Sequence, residues 1–172
     1  MNLSPQAIII IAAVFGGSFL LMIPMAILNG KRKKKEASFV SRNTQNAVLH
    51  LYADSPVIDG IKIKNMEHIR GYDLQQIVSL QPGRHHIRAK YAFSEPGIGK
   101  NVNYSTPEPI ESEVVLDAGY EYSLAIYTES PEERRAYYKG DAGEAVYCEM
   151  LNITGSGFGG HKTAYIICYK EK

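Results

Sequence analysis

Gln81-Pro82-Gly83-Arg84-His85-His86-Ile87-Arg88-Ala89-Lys90-Tyr91-Ala92-Phe93, residues 81–93, reads as a tight turn followed by a half-buried strand. Ile87, Ala89, Tyr91 and Phe93 fall on one side of an extended chain, and His86, Arg88 and Lys90 fall on the other. A two-residue period, apolar on one face and charged on the other, is the pattern of a strand laid over a core.

The same grammar extends in both directions. Upstream, 48–52 is a short strand, and Val57-Ile58 and Ile61-Lys62-Ile63 flank Asp59-Gly60, a strong hairpin signal because both residues tolerate a left-handed backbone. Residues 76–80 form a strand that ends at Gln81-Pro82-Gly83. Downstream, 94–109 is rich in Gly, Pro, Asn and Ser and reads as a long loop. Ile110, Val114 and Leu116 then alternate with Glu111, Glu113 and Asp117, and Tyr120, Tyr122, Leu124 and Ile126 share a face. Ser130-Pro131-Glu132-Glu133 has an N-cap, a proline at the first helical position and a glutamate at the third, so a short helix starts there. Strands around 145–153 and 163–169, joined by the glycine-rich 155–160, complete the chain. Short strands punctuated by turns, without helix–strand alternation, predict an all-β antiparallel β-sandwich over 47–172.

The N-terminal part is of another kind. Residues 7–28 carry no charge, and as a helix they span roughly 33 Å at ~1.5 Å per residue, against a hydrocarbon core of about 30 Å. Nothing basic precedes the run and it exceeds the apolar length of a cleaved leader, so 1–30 is expected to be an uncleaved transmembrane anchor. Ala12 and Gly16, Ala13 and Gly17, with Ser18 beside them, have the small-xxx-small spacing that lets two membrane helices approach closely. That spacing predicts docking in a membrane complex or self-association.

Lys31-Arg32-Lys33-Lys34-Lys35 follows at once, inside a stretch, 31–46, read as a basic juxtamembrane linker. Setting those five aside leaves 14 of the 19 basic residues against 18 acidic ones, a net of −4, so the positive charge is confined to one point. A nucleic-acid partner is not expected from that distribution. Basic flanks stay on the cytoplasmic side and attract anionic headgroups, which predicts an outside N-terminus, a cytoplasmic C-terminal domain and membrane lipid as a partner.

Residues 57–91, with Ile58-Asp59-Gly60 and then Leu80-Gln81-Pro82-Gly83-Arg84-His85-His86-Ile87, resemble PEGA-type and related β-sandwich modules. Leu116-Asp117-Ala118-Gly119-Tyr120-Glu121-Tyr122 is similar to a further strand start in such modules, which takes the resemblance over about 57–127. It implies an Ig/PEGA-like sandwich acting as a non-catalytic surface or adaptor module, and it implies an extracytoplasmic setting, opposite to the one the basic block predicts.

No catalytic, cofactor-binding, metal-ligating or small-molecule site emerges. His85 and His86 point to opposite faces of one strand and cannot easily share a metal. Arg84, His86, Arg88 and Lys90 form a basic stripe that fits the wet face of a sheet or a partner surface, to which Phe158, between glycines, is a further candidate. Cys148 and Cys168 lie in the last two strands, and the sequence leaves open whether they are bridged. The expectation is a single-pass, non-enzymatic accessory or adaptor subunit; the alternative is an extracytoplasmic ligand-binding or envelope domain held by the same anchor.

Overall fold

A computed structural model describes residues 27–97, 99–140, 142–156 and 159–171. The strands are β1 (Ala47–Leu51), β2 (Asp54–Ile58), β3 (Ile61–Lys62), β4 (His68–Arg70), β5 (Gln76–Leu80), β6 (Gly83–Lys90), β7 (Ala92–Glu95), β8 (Val102–Ser105), β9 (Ile110–Leu116), β10 (Glu121–Tyr127), β11 (Glu144–Gly155) and β12 (His161–Lys170). They form an eight-stranded sheet in the order β4-β5-β1-β10-β12-β11-β8-β7 and a four-stranded sheet in the order β3-β2-β6-β9. The protein is therefore all-β and sandwich-like. The expected antiparallel pattern holds except that β1 and β10 pair in parallel, Val48 opposite Glu121 and Leu51 opposite Leu124.

The main core lies between the sheets. Leu49 and Leu51 of β1, Tyr122 and Leu124 of β10, and Ile166 and Cys168 of β12 meet Ile58, Ile87, Ala89, Val114 and Leu116 from the smaller sheet. Each of the larger side chains contributes roughly 1.5–3 kcal/mol by leaving water. The Asp59-Gly60 turn has φ of 50° and 79°, the left-handed pair that closes a two-residue hairpin between β2 and β3.

Two segments differ from the sequence reading. The strand expected to continue through Phe93 ends at Lys90, and the chain passes at Tyr91 from the small sheet to the large one. Phe93 therefore stacks on Tyr104, with ring centroids 5.0 Å apart, in a separate cluster with Ile153 and Ala164. The stretch read as a loop, 94–109, contains β8, which pairs with β7.

Helix α1 occupies 27–42 and a second helix, α2, spans Pro131–Tyr137. The predicted start of α2 is present as a capping box between Ser130 and Glu133. The stretch expected to be a linker is thus helical as far as Arg42. The apolar run 7–28 lies, but for Ile27 and Leu28, outside the described residues. Among the described residues no helix is long and apolar enough to cross a membrane.

Candidate functional site at the helix–sheet junction

Strand β1 is buried along its whole length because both its faces are covered. Ala47, Leu49 and Leu51 face the core, while Val48 joins Phe39 and Val40 of α1 and Ile69 and Ile77 of the sheet in a second apolar cluster. Phe39 has no exposed surface. Glu36, one turn earlier on the same face of α1, supplies the polar half of the junction. Its Oε2 accepts from the Tyr72 N–H at 3.2 Å and its Oε1 accepts from Gln75 Nε2 at 3.4 Å. His50, on the α1 side of β1, lies between two carboxylates: Nδ1 is 3.8 Å from Glu36 Oε1 and Nε2 is 3.2 Å from Glu121 Oε2.

The loop between β4 and β5 is built to meet this carboxylate. Gln75 is buried, its side-chain oxygen accepts from the Asp73 N–H at 3.0 Å, and its carbonyl accepts from the Gly71 N–H at 2.9 Å. A Cβ on Gly71 would come within 2.5 Å of the Gln75 amide, so that amide occupies the space of a side chain. The turn holds Leu74 at φ 68°, a conformation that costs a non-glycine residue on the order of 1–3 kcal/mol. Tyr72 and Leu74 are left exposed. Lys33 Nζ stands 4.6 Å from the Tyr72 ring centre. Burial, reinforced by the negative charge of Asp73, pushes the nearby Tyr52 hydroxyl up to about 12. A hydrogen bond to Asp73 and that carboxylate's charge raise Tyr72 as well. Between α1 and the sheet runs a groove of about 480 Å³, lined by Lys33, Glu36, Ala37, Val40, Tyr72 and Glu121 among others. The junction fixes the angle of a helix against a sheet through an apolar pin and a carboxylate clamp.

The residues singled out in the sequence are spread more widely. Lys31, Arg32, Lys33, Lys34 and Lys35 all lie on α1, exposed apart from half-buried Arg32. Ala12, Ala13, Gly16, Gly17 and Ser18 lie outside the described residues, as does Phe158. Arg84, His86, Arg88 and Lys90 do share the outer face of β6, but with partners. Arg84 pairs with Glu113, His86 Nε2 is 3.5 Å from Glu113, Arg88 Nε is 3.9 Å from Glu111, and Lys90 donates to the Pro107 carbonyl at 2.8 Å. Cross-strand glutamates of β9 thus pair with Arg84 and Arg88, while Lys90 meets an uncharged carbonyl.

His85 ties two turns together. Its Nδ1 is 2.7 Å from Asp59 Oδ2, and its Nε2 is 2.7 Å from the Gln81 carbonyl, which can only accept. Asp59 Oδ1 also accepts from the His86 N–H. Burial works against the charged carboxylate, yet these hydrogen bonds hold Asp59 below the usual carboxylate range. Both ring nitrogens are occupied, and among the described residues no group of His, Cys, Asp and Glu side chains could hold a metal ion. Cys148 and Cys168 are free thiols on paired strands. Tyr147, not Cys148, stands opposite Cys168, so the thiols point to opposite faces. Burial pushes the Cys168 thiol up to about 12.

Glu36, Phe39, Tyr72 and Leu74 did not stand out in the sequence. The available signal was the spacing Glu36, Phe39, Val40, Asn43, which places all four on one helical face; Asn43 Nδ2 donates back to the Phe39 carbonyl at 2.8 Å. No family model, curated protein or solved structure matches this chain.

Proposed function

We propose that this chain is a single-pass membrane protein whose β-domain, of Ig/PEGA-like design, is a non-enzymatic accessory or adaptor unit held at a set angle to the bilayer. The observation that carries this reading is the junction. A helix that contains the basic block runs on into the domain and is locked there by Phe39 and Glu36, so α1 and the sheet are coupled as one body. Such coupling suits a subunit that presents a surface to neighbours in the membrane better than one that samples space on a flexible tether. The apolar run 7–28 supplies the span, and the block 31–35 supplies both orientation and, at ~1 kcal/mol per residue, affinity for anionic headgroups.

The small-residue face of Ala12, Ala13, Gly16, Gly17 and Ser18 is the docking surface for another membrane helix, from a partner or a second copy. Replacing Gly16 and Gly17 with Leu should release the chain from its membrane complex in mild detergent. Unchanged co-purification would refute the docking role while leaving the anchor in place.

A further inference from the structure

We propose that the loop between β4 and β5, with the end of β1 beside it, is a second membrane contact that seats the domain on the headgroup layer. The proposal rests on the anchored reading above. Phe39 packs with Val48, and Glu36, one turn toward the N-terminus, sits beside His50, two residues further along β1. Helix and strand therefore run in opposite directions, and β1 leads back toward the N-terminal end of α1. The chain emerges there at Tyr52, next to the 71–75 loop. Lys33, over the Tyr72 ring, is five residues beyond Leu28, about 7–8 Å along the helix axis. Each headgroup layer is about 5–8 Å deep, so Tyr72 stands at its level.

What gathers at this end is what an interface calls for. Tyr72 and Leu74 are exposed, as are Ile27 and Leu28 of the helix. Tyrosine is favoured where an apolar ring and a wet hydroxyl are both accommodated, and lysines can bury their stems while their ammonium groups reach phosphate. Leu74 is held in a left-handed conformation and still faces outward. Four carboxylates border this end, Glu36, Asp54, Asp73 and Glu121, against six positive charges contributed by 31–35 and Arg70, which leaves a positive surplus beside the bilayer.

The chain contains no tryptophan, so Tyr72→Trp creates a single reporter. The full-length variant, reconstituted in phosphatidylcholine vesicles with and without phosphatidylserine, should show blue-shifted emission that acyl-brominated lipid quenches and aqueous iodide does not. Adding Leu74→Asp to it should shift the emission red and restore access to iodide. Phe19→Trp, in the apolar run, tests the anchor separately. Quenching of the Phe19 reporter with a water-exposed, bromine-insensitive Tyr72 reporter means that the loop faces solvent or a protein, which overturns this proposal and spares the anchor. A Phe19 reporter that escapes the bromine overturns both.

Discussion

Asp59 carries two roles at one position. It occupies the left-handed turn that closes β2 onto β3, and its carboxylate bridges the His85 ring and the His86 N–H. Its pKa is lowered in the folded chain, so its contribution to stability is present in full above the ordinary carboxylate value of ~4 and is lost as the pH falls through the lowered one. Asp117, held down by the hydrogen bond and charge of Lys170, acts with the same sign. Asp59→Ala should therefore cost about 1 kcal/mol at neutral pH, and the difference from wild type should shrink below pH ~4; thermal unfolding followed by circular dichroism across that range checks both. The cysteines give a sharper contrast. Cys148 is exposed, whereas Cys168 is fully buried with its thiol held protonated. A thiol-specific reagent should modify one site in the native protein and a second only after denaturation.

Among the elements, α1 is the one whose role follows from structure rather than from pattern. Phe39 fills the outer face of the large sheet above Val48 and Ile77, so Phe39→Ala should destabilise the full-length chain by about 3–5 kcal/mol, read from denaturant unfolding, with added mobility of a spin label placed at Ser38. Strands β6 and β9 were legible because they lie half-buried, which writes a period of two into Ile87-Arg88-Ala89-Lys90 and Ser112-Glu113-Val114. The start of α2 was legible because a capping box is a local chemical device. The helical state of the 31–46 linker as far as Arg42 was hard to read because five consecutive basic residues mask helical periodicity, leaving the spacing of Glu36, Phe39, Val40 and Asn43 as the signal. The break at Tyr91 was illegible for another reason: whether the next residue pairs in the same sheet or the opposite one depends on partners far away in the chain. The parallel pairing of β1 with β10 has the same character, since no short-range signal links residues 48 and 121.

Considered whole, the molecule concentrates its positive charge on one helix while the remainder is net negative. This polarity predicts orientation. In intact cells a membrane-impermeant maleimide should leave Cys148 unmodified if the domain is cytoplasmic, and Cys168 cannot confuse the readout because it is buried. Labelling without permeabilisation would favour the extracytoplasmic alternative. The candidate site itself was half legible: the basic block can be read locally, but Glu36, His50, Tyr72 and Gln75 converge only through the sheet order. The same order governs how the molecule bears load. A pull on the N-terminal side travels down α1 and arrives at β1, which is hydrogen-bonded on both flanks, to β5 and β10, and covered on both faces. Tension enters through an interior strand, so the sheet cannot be peeled open from a margin; two ladders must give way together, and the domain can transmit a tug from its stalk without coming apart.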